Sequence, residues 1–118
     1  ILDHADVRRM LLTMKADIFA ARAIAVANAV AIDLSSATAV PAWQARAALL
    51  TPITKAFGTD VGIAVAEMGV QVHGGMGFIE ETGAAQYSRD VRVTAIYEGT
   101  NLTTLQILAF DLTFGRTV

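Results

Sequence analysis

One carboxylate lies at a position in the sequence that suits chemistry better than an ordinary surface charge would. Glu98 falls within IYEGTN (residues 96–101), between apolar residues and a glycine, just before a helical pattern begins. An acid in apolar surroundings has its charged form disfavoured, which suits a base that removes a proton from carbon. The alternative is structural, because a carboxylate ahead of a helix favours the helix dipole. The pattern by itself leaves both interpretations open.

The two residues that follow Glu98 have properties that suit a bound ligand. Gly99 has no side chain, so a ligand can come close to the backbone there. Thr100 is a favourable N-cap, and the free N–H groups at a helix start can face an anion or a polarised oxygen. These properties fit a ligand site without identifying the ligand.

Three glycines within four residues mark a second candidate region, Gly74, Gly75 and Gly77. The segment lacks the Gly-Lys-Ser/Thr ending of a phosphate loop and the strand-turn-helix setting of a dinucleotide-binding fingerprint. It is explained either by a helix C-cap followed by a tight turn or by close approach of the backbone to a cofactor. The glycines alone leave both explanations open.

Composition and charge exclude several classes of site. The chain has no cysteine, and only His4 and His73 could supply nitrogen ligands, so no metal site is expected. A net charge of −2 and a pI near 5.5 give no electrostatic footprint for nucleic acid. Arg8, Lys15 and Arg22 fall seven residues apart along one helix edge, which we interpret as a solvated face.

The chain is apolar for its size. Hydrophobic residues make up 54% of it, charged residues 17%, and the mean hydropathy is +0.51, so we expect one face to be buried against a partner. The longest apolar stretch, 18–32, is interrupted by Arg22 and Asn28 and is shorter than the roughly 20 residues that cross a bilayer, so no membrane span is expected. With 118 residues and Ile1 first, we expect a single domain from within a longer gene product.

Apolar periodicity predicts an all-α chain of about four main helices. The first runs from His4 to about Leu34, with a stripe at spacings of three and four in which Asn28 is the one polar member. The Ser, Thr and Pro content of residues 33–41 predicts a connection, and Pro41 suits the first turn of the next helix. The pair Thr51-Pro52 is predicted to break or kink that helix, and a third segment follows to about residue 70.

The second half of the chain is predicted to alternate loops and helices. The glycine-rich residues 71–82 are expected to form a loop, and 83–92 a short helix. Residues 93–97 have strand propensity, but one strand has nothing to pair with, so we expect an extended loop. A final helix is predicted from Thr100 to about Phe114. Gly58 and Gly62, four residues apart, are expected to let another helix approach, and Arg89 and Arg92 are expected to pair with Asp90 or nearby acids.

Two segments of the chain resemble the paired C-terminal signatures of the acyl-CoA dehydrogenase family. They are QVHGGMGFIEETGAAQYSRD (71–90) and RVTAIYEGTN (92–101), and their order and spacing match as well. The segments HADVRRMLLTMKADIFAARA (4–23) and LLTPITKAFGTD (49–60) are similar to a long-form branch that includes methylthiopropanoyl-CoA dehydrogenases. The resemblance implies that residues 1–118 form the C-terminal up-and-down helical bundle of a larger flavoenzyme, without its N-terminal helical and middle β domains.

The resemblance also implies a mechanism and its site residues. In this family the glutamate of Tyr-Glu-Gly-Thr removes the α-proton of an acyl-CoA thioester while the β-hydride passes to FAD, which gives a trans-2-enoyl-CoA. By that likeness Glu98 is the catalytic base, and its backbone N–H helps to hold the thioester carbonyl. The same likeness makes the following residues cofactor contacts: Gly99 and Thr100 near the flavin, and Gln71, Gly74 and Gly75 near the FAD of a neighbouring subunit.

Further expectations about partners and location follow from the resemblance. It implies a homodimer or homotetramer, an electron-transfer flavoprotein as acceptor, and a place in the bacterial cytoplasm or, in a eukaryote, the mitochondrial matrix. A fragment without the β domain is expected to be inactive. An acyl-CoA oxidase and a flavin-binding stress-response relative with little dehydrogenase activity are the alternatives. Residues 102–104 (LTT) replace the family's usual Gly-Ile-Gln, which predicts weaker polar contacts at this helix start.

Overall fold

The computed structural model describes residues 1–115, and most of these are helical. No β-strand occurs in the described residues, so the all-α prediction is confirmed. Short 3-10 turns at Glu80–Thr82 and Val93–Ala95 lie between the later helices. The five α-helices are α1 (Ala5–Thr38), α2 (Pro41–His73), α3 (Gly75–Phe78), α4 (Ala84–Arg92) and α5 (Asn101–Phe114).

The two long helices α1 and α2 form an antiparallel pair that frames the whole domain. Only Ala39 and Val40 connect them, and the left-handed backbone of Ala39, with φ 52°, ends α1. The 34 residues of α1 account for the 51 Å length of the molecule at about 1.5 Å per residue. All of the other α-helices contact α2. The position of any site residue is therefore set relative to α2.

The buried face of α1 differs from the predicted stripe. Asn28, its one polar member, is buried and lies 3.3 Å from the Thr51 hydroxyl of α2, which donates to its side-chain oxygen. Ala31 is also buried, whereas Ile18 and Ile32 are exposed. Because α1 is apolar around most of its circumference, the sequence pattern could not select the face that packs on α2.

The break predicted at Pro52 is absent, and the connection predicted at residues 33–41 is shorter than expected. Helix α2 runs on through Pro52 while α1 packs along it. Helix α1 continues to Thr38, so only Ala39 and Val40 remain as the connection, and the hydroxyls of Ser35, Ser36 and Thr38 donate to carbonyls three or four residues earlier in the helix. The start of α2 at Pro41 is confirmed.

The segment 93–97 was predicted to be extended and is a helical turn instead. The N–H groups of Ile96 and Tyr97 donate to the Val93 carbonyl at 2.9 and 3.1 Å. No strand in the described residues could pair with it, so local hydrogen bonds decide its conformation. Two other predictions are confirmed in part. A Cβ on Gly62 would lie only 3.0 Å from Val91 of α4, whereas a Cβ on Gly58 would meet no atom of the described chain within 4 Å. Arg89 pairs with Glu80 at 3.4 Å, but Arg92 forms no ion pair within residues 1–115.

Large apolar side chains cover much of the molecular surface, as the composition indicated. On α1, Leu12, Phe19 and Val26 lie seven residues apart and are 67%, 75% and 63% exposed. Within residues 1–115, α1 is also the one helix that is long and apolar enough to cross a membrane. This is weak evidence for a span, because a helix that packs against other protein passes the same test.

Candidate functional site

Glu98 lines an apolar groove between α2 and α5. The groove has a volume of about 580 Å³. Alanine, leucine, isoleucine and proline side chains make up most of its walls, and among the described lining residues only Glu98 and Asp111 are charged. The full described lining is Ala45, Ala48, Leu49, Pro52, Glu98, Gly99, Thr103, Thr104, Ile107, Leu108, Asp111, Leu112 and Gly115. The groove thus combines an acid with walls that suit a hydrocarbon chain.

The backbone turns sharply at Glu98. Its φ is 52°, in the left-handed region that residues with a side chain rarely adopt, and Gly99 follows at φ 89°. Ile96, Tyr97 and Glu98 are all exposed. The residues next to Glu98 in sequence therefore do not bury its carboxylate as expected. Within the described chain, the apolar surroundings of Glu98 come from the groove.

Thr100 caps α5, as predicted. Its hydroxyl oxygen accepts from the Thr103 N–H at 3.2 Å, and its carbonyl accepts from the Thr104 N–H at 2.9 Å. The Thr104 hydroxyl donates to the same carbonyl, and the Thr103 and Thr100 hydroxyls lie 2.9 Å apart. Thr103 and Thr104 themselves supply polar contacts at this helix start, and the expectation that these are weaker than the family's usual contacts stays a prediction.

A polar cluster that the sequence did not reveal ties the Glu98 turn to α2. The Lys55 ammonium group donates to the Gly99 carbonyl at 2.6 Å and to Asn101 Oδ1 at 2.9 Å. The Asn101 amide nitrogen in turn donates to Asp60 Oδ1 at 2.7 Å and to the Thr59 hydroxyl at 2.8 Å. The sequence does show Lys55, Thr59 and Asp60 close together on α2, an otherwise apolar helix. It could not show what they bind, because their partners are more than 40 residues away in sequence.

The glycine cluster lies in the turn that ends α2, and its members have different reasons to be glycine. Gly74 has φ 61° and ψ −144° and donates to the Gln71 carbonyl, which confirms the C-cap interpretation. A Cβ on Gly77 would collide with the Val70 carbonyl. A Cβ on Gly75 would meet no atom of the described chain within 4 Å. Packing in this chain therefore explains Gly77 but not Gly75.

The two predicted groups of site residues lie apart along α2. Lys55, which donates to the Gly99 carbonyl, lies nineteen residues before Gly74, which is about 28 Å at 1.5 Å per residue. Glu98, Gly99 and Thr100 are brought together, and Gln71, Gly74 and Gly75 are brought together, but one chain does not join the two groups. No group of three or more His, Cys, Asp or Glu side chains within residues 1–115 is arranged to hold a metal ion.

Comparisons with known proteins identify the family. The model of the acyl-CoA dehydrogenase C-terminal domain matches residues 1–112. Over its whole length the chain is 50% identical to the 3-methylmercaptopropionyl-CoA dehydrogenase of Ruegeria pomeroyi and 33% identical to a broad-specificity linear acyl-CoA dehydrogenase of Mycobacterium tuberculosis, and it covers 20% of each. A butyryl-CoA dehydrogenase of Syntrophomonas wolfei is 36% identical over 86% of this chain and 17% of the relative.

The chain thus spans about a fifth of the length of these relatives. No solved structure gives a significant match. The match to the family model covers nearly all of the chain, and the resemblance of residues 71–90 and 92–101 to the family signatures is accordingly confirmed. The helical pair, the glycine turn and the glutamate turn described above therefore belong to a member of the acyl-CoA dehydrogenase family.

Proposed function

We propose that this chain is the C-terminal domain of an FAD-dependent acyl-CoA dehydrogenase, in which Glu98 is the catalytic base. The complete enzyme then converts an acyl-CoA thioester into the trans-2-enoyl-CoA. The observation that carries this proposal is the position of Glu98, a carboxylate at an apolar groove whose walls suit an acyl chain. The names of the relatives, all of them acyl-CoA dehydrogenases, support the reaction class.

The chain's own residues have a defined part in the proposed reaction. The Glu98 carboxylate takes the proton from the α-carbon of the thioester. Within residues 1–115, the backbone N–H groups of Glu98 and Gly99 donate no hydrogen bond, so they are free to donate to the thioester carbonyl as negative charge develops on its oxygen. The apolar walls of α2 and α5 hold the acyl chain and exclude water from it.

Both groups of predicted cofactor residues fit a bound FAD. The open space beside Gly75 and the exposed side chain of Gln71 leave room for a flat cofactor against the backbone. We assign Gln71, Gly74 and Gly75 of one subunit, together with Gly99 and Thr100 of another, to this cofactor. When bound, FAD accepts the hydride that leaves the β-carbon. The distance between the two groups along α2 is the reason for assigning them to different subunits.

Assembly is the second part of the proposal. The exposed face of α1 that carries Leu12, Phe19 and Val26 supports a homodimer or homotetramer in which this face is buried. We further propose an electron-transfer flavoprotein as the electron acceptor, and a cytoplasmic or mitochondrial-matrix enzyme. The isolated domain is expected to be inactive, since the β domain supplies most of the cofactor site. Rapid oxygen consumption by the complete enzyme with substrate would instead favour an acyl-CoA oxidase.

The test of the base is Glu98→Gln in the complete enzyme, with Glu67→Gln as the matched control. Glu67 is an exposed glutamate of α2 that lies outside the groove. Glu98→Gln should retain FAD but slow the anaerobic bleaching of the flavin by acyl-CoA by about 10²-fold to 10⁴-fold, because a general base contributes that much. Glu67→Gln should bleach at the parent rate. Bleaching at the parent rate in Glu98→Gln would remove Glu98 from the mechanism.

A further inference from the structure

Lys55 connects the middle of α2 to the turn that carries Glu98. Its ammonium group is 2.6 Å from the Gly99 carbonyl oxygen and 2.9 Å from Asn101 Oδ1. Lys55 therefore bridges Gly99 in the turn and Asn101, the first residue of α5. Lys55 is partly buried, unlike Lys15, the chain's other lysine, which is exposed. A charged donor on a backbone carbonyl makes a stronger hydrogen bond than a neutral donor does.

Asn101 completes the attachment. Its amide nitrogen donates to Asp60 Oδ1 and to the Thr59 hydroxyl, and it also lies 3.3 Å from the Ala56 carbonyl. These acceptors lie on one face of α2, within about one and a half turns of Lys55. The start of α5 is therefore fixed to α2 through both atoms of the Asn101 amide. Its oxygen accepts from Lys55, and its nitrogen donates to acceptors on α2.

The turn between these anchors is strained. Glu98 has a φ of 52°, and a left-handed backbone costs a residue with a side chain about 1 kcal/mol or more. Such a conformation persists only where the surrounding structure fixes it. Within residues 1–115, the hydrogen bond from Lys55 is the one that holds the Gly99 carbonyl, and that carbonyl sets the orientation of the peptide directly after the strained pair.

We propose that Lys55, supported by Asn101, is a positioning residue for Glu98. By holding the Gly99 carbonyl toward α2, the ammonium group keeps the left-handed turn closed and the Glu98 carboxylate at the groove. Lys55 acts through the turn and does not itself touch the substrate. This inference rests on the proposed function, because it assigns to Lys55 the placement of the base.

The first test compares three lysine variants of the complete enzyme. Lys55→Met removes the ammonium group at similar length, Lys55→Arg restores a charged donor, and Lys15→Met is the matched control on α1. Because a displacement of about 1 Å can cost about 10²-fold in rate, Lys55→Met should slow anaerobic flavin reduction by about 10-fold to 100-fold, with the FAD content and KM unchanged. Lys55→Arg should recover part of the rate, and Lys15→Met should match the parent.

A purely structural role for Lys55 would give a different result. In that case Lys55→Met would lower the thermal midpoint but reduce flavin at the parent rate well below that midpoint, and this result would overturn the proposal. Should Lys55→Met fail to fold, Lys55→Gln replaces the charged donor with a weaker neutral donor on a shorter side chain, and it should still slow flavin reduction, by a smaller factor than that expected for Lys55→Met. Parent-rate reduction by folded Lys55→Gln would likewise overturn it.

A double-mutant cycle tests whether Lys55 acts through Glu98. In a Glu98→Gln background, Lys55→Met should lower the residual reduction rate by less than about twofold, because residues that act as one unit are strongly non-additive. If Lys55→Met lowers that residual rate by the same factor as in the parent, Lys55 does not work through the base.

Hydrogen exchange separates this inference from the proposed function. The amides of residues 96–104 should exchange faster in Lys55→Met than in the parent and in Lys15→Met, because opening of the turn exposes them. Unchanged exchange would overturn the positioning role even if Glu98→Gln is inactive. If Glu98→Gln bleaches at the parent rate, the proposed function fails, and Lys55 is then not a residue that positions a base.

Discussion

The turns at the two candidate regions differ in what holds them. The turn at residues 98–100 is fixed within its own chain by Lys55, by Asn101 and by the Thr100 cap. The turn at residues 74–75 also has a left-handed glycine, but the space beside Gly75 contains no atom of the described chain. The first turn is therefore held by contacts within its own chain, whereas the described chain leaves the space beside Gly75 open.

This difference separates two kinds of glycine. Gly77 is enclosed by its own chain, because the Val70 carbonyl occupies the place where a side chain would go. Gly75, two residues earlier, has no such neighbour. The sequence gives both residues the same appearance, and only packing shows that a side chain is excluded at Gly77 and has room at Gly75. The substitutions below test each side of the comparison.

The largest effect on the rate of flavin reduction is expected from Glu98→Asp, in the turn at residues 98–100. The shorter side chain keeps the charge but withdraws the carboxylate by about 1 Å, and a displacement of that size can cost about 10²-fold in rate. We expect stopped-flow flavin reduction to slow by about that factor while FAD content stays unchanged. Glu67→Asp, at an exposed position of α2, is the control. A parent rate in Glu98→Asp would mean that the turn does not need to place its carboxylate closely.

The next effect concerns the enclosed glycine. In Gly77→Ala the new methyl group would meet the Val70 carbonyl and the His73 side chain, so we expect a loss of stability of about 2–3 kcal/mol from overpacking. The measurement is the thermal midpoint of the helical circular dichroism signal in the complete enzyme. A midpoint equal to that of the parent would show that the turn after α2 can shift at little cost, and the contrast with Gly75 would then disappear.

The sequence predicted the parts of this fold that depend on local signals. The all-α class, the start of α2 at Pro41, the helix 84–92 and the Thr100 cap follow from capping and periodicity. The break at Pro52 was wrong because packing along α1 outweighs one missing hydrogen bond. The extended loop predicted at residues 93–97 was wrong. No partner strand exists in the described chain, and a 3-10 turn forms at Val93–Ala95 despite the strand propensity of these residues.

The candidate site was predictable only in part. The family signature placed Glu98, Gly99 and Thr100 together, and they do lie together at the groove and the helix cap. Local sequence could not show that Lys55 reaches the Gly99 carbonyl, because contacts across 44 residues depend on how the helices pack. Nor could it choose the buried face of α1, whose apolar residues surround the helix. Long-range pairing was the missing information in both cases.

A smaller effect is expected at the open glycine. In Gly75→Ala the added methyl group would enter the space that we assign to FAD, and one extra carbon in a fitted site costs about 1–3 kcal/mol. We expect the enzyme to bind FAD about 10-fold more weakly, measured by reconstitution of the apoenzyme. Gly58→Ala is the control, because its methyl group also meets no atom within 4 Å but lies in the middle of α2. Equal FAD affinity in both variants would contradict the assignment of Gly75.

The smallest effect is expected from Thr100→Ala, which tests how far the conformation of the turn at residues 98–100 depends on the Thr100 cap. Thr100→Ala removes the hydroxyl that accepts from the Thr103 N–H, and the loss of such a cap costs about 1 kcal/mol. Thr113→Ala is the matched control, since among the described residues its hydroxyl bonds only to the Ala109 carbonyl near the other end of α5. We expect a lower thermal midpoint for Thr100→Ala alone. Because Lys55 and Asn101 still hold the turn, flavin reduction should slow far less in Thr100→Ala than in Lys55→Met, and the reverse order would make the cap, not the lysine, the main anchor of Glu98.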